Sequence, residues 1–307
     1  MSLLPDPNDL PGINESERTA CVLVFNANDP SGAGGLSADI GAITSVGVHA
    51  LPVLTGAYSR DTAEIVDHFA LDDEAIAEQA RTILEDVAAQ VIKVGFAGSA
   101  EALSAISAIA TDYADVPLVA YMPDLSWWNE IQIDIYLDAF RELLLPQTTV
   151  LVGNHSTLCR WLLPDWPAGK NPSPRDIARA ASAWGVSYTL VTGISLPDDM
   201  LENVLASPQT VLYSGRFERL DAAFSGAGDT LSAALAGLLA SGSDLADAAK
   251  EALVYLDRCL DAGFRPGMGH LVPDRLFWAQ PEPDDDDPAD GTAIDPLFAE
   301  PTHDTKH

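Results

Sequence analysis

Along the chain, short apolar runs alternate with longer stretches in which apolar residues recur every three or four positions. The runs are ACVLVFNA (20–27), ALPVLTGAY (50–58), QVIKVGFAG (90–98), VPLVAYM (116–122), TTVLVGN (148–154), SYTLVTGI (187–194) and TVLYSGRF (210–217). Most carry too few polar residues to leave one face in water, which predicts strands covered on both faces. Between many of them, helical periodicity marks LSADIGAITSVG (36–47), DDEAIAEQARTILEDVAAQ (72–90), AEALSAISAIATDYA (100–114), IDIYLDAFRELLL (133–145) and PRDIARAASAWG (174–185). Two more helices are predicted after the last run, in FSGAGDTLSAALAGLLASG (224–242) and SDLADAAKEALVYLDRCLDAG (243–263). This alternation predicts an α/β fold with a mainly parallel central sheet and helices on both faces, three layers in all. The lack of a self-similar period of roughly 20–50 residues argues against a solenoid.

Composition divides the chain. Residues 1–19 read as a flexible N-terminal segment and 20–280 as the folded domain. The remainder, PEPDDDDPADGTAIDPLFAEPTHDTKH (281–307), has nine acids, one lysine and few large apolar residues, and reads as a disordered acidic tail. Sixteen Lys and Arg against 46 Asp and Glu give a formal charge of −30, which argues against nucleic acid or an anionic membrane as partner. Any phosphate handled here must then be held by local dipoles, a metal or a few bases. Cys21, Cys159 and Cys259 are odd in number and lack CxxC spacing, which argues against a disulfide framework or zinc site and fits a reducing, cytoplasmic compartment. No uninterrupted apolar run approaches the roughly 18 residues of a membrane span.

In an open parallel sheet, ligands gather beyond the carboxyl ends of the strands, where loops feed helix N-termini. Two glycine-rich loops occupy such places. The later one, Gly226-Ala227-Gly228-Asp229, is neither a Walker A sequence nor a complete dinucleotide fingerprint. Its glycines still let the backbone approach a ligand, and the helix start behind it offers unpaired N–H groups and the positive end of a dipole. Asp229 then has two readings: a cap on its own helix, or a base beside a bound phosphate. The earlier loop, NANDPSGAGGLSADIGA (26–42), follows the first strand and contains Asp29 and Asp39; alone, DPSG is an ordinary turn.

Taken together, NDPSGAGGLSADI (28–40) and GAGDTLSAALAGLLASG (226–242), with an alternating α/β chain between them, resemble the ribokinase-like superfamily. Within it the chain is most similar to the hydroxymethylpyrimidine and phosphomethylpyrimidine kinases of thiamin synthesis, over roughly residues 20–275. The resemblance implies a kinase of thiamin biosynthesis that uses ATP and Mg²⁺ to phosphorylate the hydroxymethyl group of a pyrimidine and then its monophosphate, with the metal carried mainly by the ATP phosphates, and it admits a homodimer. It implies Gly226, Ala227 and Gly228 as the anion hole, Asp229 as the catalytic residue, and Gly34, Asp39, Arg60 and Phe96 on the acceptor side. Asn154, Thr192 and Gly193 fall on the nucleotide and magnesium side.

The chain also departs from that pattern. Pyrimidine kinases of this kind usually carry cysteine at the position of Asp229, whereas aspartate is the habit of sugar, nucleoside and pyridoxal kinases. Arg60 replaces a glutamine that helps to read the pyrimidine. The usual Asn-x-x-Glu reads Asn154-His155-Ser156-Thr157, and a usual lysine is Thr192. A pyridoxal or pyridoxine kinase, or a non-catalytic ligand-binding member of the fold, therefore stands as an alternative. Lys93, inside an apolar run, is either half of a structural ion pair or part of the site. Trp127 and Trp128 either shield a ring or pack a loop on the body. His155 reads as incidental, and His270 as a marker of the nucleotide-side loop.

Overall fold

The computed structural model describes residues 19–279 apart from 168 and 170; the acidic tail and all but the last residue of the expected N-terminal segment lie outside the described residues. A sheet of nine strands runs through the described part in the order β3-β2-β1-β4-β5-β6-β7-β8-β9. Its centre is parallel: β1 (Cys21–Asn28), β2 (His49–Arg60), β4 (Val91–Val94), β5 (Leu118–Met122), β6 (Val150–Asn154) and β7 (Tyr188–Ser195). The edges are antiparallel, formed by β3 (Ile65–Ala70) on one side and by β8 (Met200–Ala206) and β9 (Val211–Glu218) on the other. The described residues up to Phe277 make one compact unit; of a second, 278–307, only Trp278 and Ala279 are described.

Helices cover both faces, as the apolar runs require. In β1, Leu23, Phe25 and Ala27 join a core with α2 (Asp73–Leu84), α3 (Ala100–Asp112), α4 (Glu130–Ala139), α5 (His155–Leu162) and α6 (Pro174–Ser182). Val22 and Val24, pointing the other way, pack with α1 (Gly35–Ser45), α7 (Ala227–Ala240) and α8 (Leu245–Asp261). A strand buried on both faces cannot alternate in polarity, which is why these runs were legible.

Strands β3 and β8 and helix α5 were not among the expected elements. β3 lies at an edge with Val66 and Phe69 exposed, so little core pressure shapes its sequence. β8 carries Glu202 and Asn203 in mid-strand, where its pairing with β9 leaves polar residues in place. α5 has only eight residues, too few for a clear period.

The helix starts differ in a way that matters for function. Side chains cap α2, α3, α4, α5 and α6, through Asp72, Ser99, Asn129, Asn154 and Ser173. By contrast, α1, α7 and α8 have no side-chain cap, and of these α1 and α7 begin after glycines, Gly34 and Gly226, leaving their first-turn amides for other partners.

The layered packing sets an expectation for two phenylalanines. Phe25→Ala, in the core, should cost about 3–5 kcal/mol of unfolding free energy, and Phe69→Ala, on the exposed edge, within about 0.5 kcal/mol of nothing. Denaturant unfolding of the two variants checks the assignment of inner and outer strands.

Candidate active site

The strand order reverses beside β1, because the chain moves from β1 to β2 on one side and returns to β4 on the other. That reversal opens a crevice at the carboxyl ends of the strands. Asn26 near the end of β1 and Lys93 on β4 lie in it, and the first turns of α1 and α7 lean over it. Four side chains from these four elements meet there.

Lys93 Nζ donates to Asp39 Oδ1 at 2.7 Å and to Asp229 Oδ1 at 3.2 Å. Asn26 Nδ2 bridges the same two acids, donating to Asp39 Oδ2 at 2.8 Å and Asp229 Oδ1 at 2.9 Å. Asn26 is itself fixed through Oδ1, which accepts from the backbone N–H groups of Ala27 and Phe96. A Cβ on Gly95 would strike the Asn26 amide, so that position must stay bare. Burial pushes the Asp39 carboxyl up to about 6; Lys93 and Asn26 oppose the shift and Asp229 adds to it. For Lys93, burial alone would favour the neutral amine, but the two carboxylates outweigh it and raise its pKa. Tyr121, whose ring lies 5.9 Å from Lys93 Nζ, is raised by burial and then by Asp229 and other acids, and stays a phenol.

Asp229 does not cap its own helix. Its Oδ2 accepts from the N–H of Gly35, the first residue of α1, at 3.2 Å. Its side chain keeps 17% of its exposure, where Lys93 and Asp39 keep none.

The two glycine loops touch. Gly226 has φ +85°, and a Cβ there would run into the carbonyl of Ala33. Gly34 faces Asp229, with a Cβ position 3.0 Å from its Oδ2. Arg275, which sequence reasoning missed, ties the two together: Nε donates to Thr230 Oγ1 at 3.0 Å, Nη1 to the Gly32 carbonyl at 3.1 Å and Nη2 to the Ala33 carbonyl. The signal available was an arginine following the apolar HLVPD segment near the end of the domain. Asp29 shapes its own loop, accepting from Ser31 and from the Gly34 N–H at 2.8 Å. It also pairs with Arg60 at 3.1 Å, and Arg60 reaches Ser225 Oγ at 3.3 Å.

Two hollows flank the start of α7. A polar cavity of about 630 Å³ is lined by Gly34, Tyr58, Arg60, Trp127, Gly226 and Asp229, among others. A cleft of about 310 Å³ lies on the other side, with Asn154, Thr192 and Gly193 at its polar end and Leu201, Phe217, Leu253 and Leu256 supplying an apolar wall. Both volumes lie in the range of small-molecule sites. Asp39 and Phe96 sit beneath the cavity lining and not in it. Phe96 stacks on Tyr58 and meets Trp127 and Trp128 edge-on, so Trp127 both packs the loop and forms a cavity wall. His270 lies on the cavity side, bonded to Ser225 at 3.1 Å. Thr157 is buried in α5, and Asn154 caps that helix through Oδ1.

A mainly parallel sheet with a glycine-lined helix start between two hollows of small-molecule size is the arrangement of a small-molecule kinase of the ribokinase-like fold. A profile described as phosphomethylpyrimidine kinase matches residues 29–274. The chain belongs to the phosphomethylpyrimidine kinase family, whose members are phosphotransferases. Among curated relatives, the hydroxymethylpyrimidine/phosphomethylpyrimidine kinase of Streptomyces coelicolor is 27% identical over 250 residues, 81% of this chain and 91% of that one. Pyridoxal kinase from Bacillus subtilis, solved as an ADP complex, shares the fold with a TM-score of 0.76 and 20% identity, covering 85% of this chain and 99% of that one. Phosphomethylpyrimidine kinase from Clostridium difficile shares it with a TM-score of 0.62 and 19% identity, covering 78% and 98%. Among the described residues no helix is long and apolar enough to cross a membrane.

The loop contact yields a direct expectation. Gly226→Ala should lose more than about 1 kcal/mol of stability, since it places a side chain at positive φ against a carbonyl, and should weaken nucleotide binding with it. Urea unfolding and ADP titration of the variant measure both effects.

Proposed function

We propose that this kinase phosphorylates the hydroxymethyl group of a hydroxymethylpyrimidine and then the resulting monophosphate, in the cytoplasm, as part of thiamin biosynthesis. The observation that carries the reading is the position of Asp229: a partly exposed carboxylate at an uncapped helix start, with a polar cavity roomy enough for a ring and its phosphate on one side and an apolar-walled cleft on the other. ATP is the donor, lying in the cleft with its base against Leu201, Phe217 and Leu256. The acceptor ring lies in the cavity against Tyr58 and Trp127.

In the transfer, Asp229 takes the proton of the acceptor hydroxyl as that oxygen attacks the γ-phosphorus in line and ADP departs. The amides of residues 226–228 face the developing charge on the phosphoryl group, aided by the α7 dipole. Asn154 and Thr192 lie at the polar end of the cleft with their side-chain oxygens already engaged, so they would stand beside a magnesium ion held mainly by the ATP phosphates; bound there, it would neutralise charge on the transferring group. Thr157, buried in α5, does not line the cleft, so the missing glutamate is not replaced from that position. A pyridoxal ring would meet the same aromatic wall, and it forms the second arm of the test. ATP turnover should be fastest with the pyrimidine, slower with pyridoxal; binding of all acceptors without turnover would identify a non-catalytic member of the fold.

Two variants test the roles. Asp229→Asn keeps the shape but cannot accept the proton, so kcat should fall about 10²- to 10⁴-fold while ADP affinity persists. Unchanged turnover would return Asp229 to a structural part. Arg60 lines the cavity with its guanidinium held by Asp29 and Ser225, where it faces the phosphate of the monophosphate acceptor. Arg60→Gln should therefore shift the preference between the two pyrimidines by about 1.5–3 kcal/mol, read as the ratio of kcat/KM values. Equal losses on both acceptors would place Arg60 away from that phosphate.

A further inference from the structure

The chemistry assigned to Asp229 leaves Lys93 and Asp39 without a task. Their side chains are fully buried, and burying two charges carries a desolvation cost that a pair of this kind does not simply return as stability. Neither lines the acceptor cavity, so neither touches a substrate. What they do touch is the base. Oδ1 of Asp229 receives two donors, Asn26 and Lys93, and is tied to the buried side. Oδ2 receives one, the Gly35 N–H, and is the oxygen with a lone pair to spare.

Resting on the reading of Asp229 as base, we infer that Lys93 and Asp39 are a positioning pair for it. Lys93 holds Oδ1 so that Oδ2 meets the acceptor hydroxyl, and Asp39 keeps Lys93 paired when Asp229 takes the proton. The balance is simple. The acceptor O–H bond breaks and an O–H bond forms at Oδ2; the oxygen electron pair becomes the new P–O bond, and ADP leaves with the electrons of the old one. Lys93 keeps all three protons throughout. Without Asp39, protonating Asp229 would strand a buried ammonium, so the base would resist the proton. Without Lys93, two carboxylates linked by Asn26 would confront each other with no cation between them.

The other groups facing the cluster do not imitate this response. Tyr121 on β5 and Tyr58 on β2 are raised by burial and remain protonated. Arg275, lowered mainly by burial, stays committed to the carbonyls of Gly32 and Ala33, and Asp29 and Arg60 neutralise each other across the loop.

The test uses the full chain as Asp39→Asn and as the double variant Asp39→Asn with Lys93→Met, which removes the buried charges together. The acid limb of kcat, with ATP and hydroxymethylpyrimidine, should move to lower pH by about one unit or more in Asp39→Asn, because Lys93 then serves Asp229 alone. In the double variant it should move the opposite way, to higher pH. Shifts of opposite sign are not the mark of a merely structural pair, which would lower the melting temperature and leave both limbs at the wild-type pH; that result overturns the inference. Carboxyl ¹³C NMR without substrates supplies a readout independent of turnover. The Asp39 signal, identified by its loss in Asp39→Asn, should titrate at lower pH in Asp229→Asn, where the like charge is gone. A signal that does not move shows that the acids are not coupled through Lys93 and also overturns the inference. Absence of turnover in the wild type would instead sink the proposed function and leave the NMR result to decide on the pair.

Discussion

Everything at the site follows from a contact that only bare backbone permits. The loop after β1 and the start of α7 meet at Gly34 and Gly226, where a side chain on the second would occupy the place of the Ala33 carbonyl. Because the loops close on each other, α1 and α7 can forgo side-chain caps and aim their first turns into one crevice. Arg275 then holds the junction from behind by three donations, two of them to carbonyls that the tight loop leaves without helical or strand partners. The result is a floor of close-packed backbone beneath the crevice.

Electrostatically, the arrangement is the reverse of the surface. A chain of charge −30 repels phosphate at long range. Against that background Lys93, Arg60 and Arg275 are gathered, buried or nearly so, around the two loops. Each is already partnered, by Asp39 and Asp229, by Asp29, or by carbonyls. Partnered in this way, the cations shape the site, Lys93 and Arg275 from beneath the loops and Arg60 from the cavity wall.

The layered fold was legible because central strands buried on both faces have no freedom to alternate: CVLVF and VIKV declare themselves by lacking polar residues. Edges and short helices escape this constraint, which hid β3, β8 and α5. At the site, the glycine loops were visible as local patterns and Asp229 as an acid at a helix start. Its partners were not. Lys93 stood out only as a charge inside an apolar run and Asn26 not at all, and nothing local in sequence says that they share the same two carboxylates. That information lies in the strand order, which places β1 beside β4 at the point of reversal. Arg275 was invisible for the same reason, since its two carbonyl partners are more than two hundred residues away in the chain.

That separation has a consequence for the protein as it is made. The Asn26 side chain reaches across 203 positions to Asp229, and Arg275 across 243 to Gly32. A growing chain can pair β1 with β2 early, since those contacts lie close in sequence, but it cannot assemble the junction of the two glycine loops until residue 275 has cleared the ribosome. During synthesis the acidic crevice must wait open, its loops unpinned and its lysine lacking the second of its two acids. Catalysis in this architecture is thus a property of the nearly finished polypeptide, and partial products of translation carry the sheet without the chemistry.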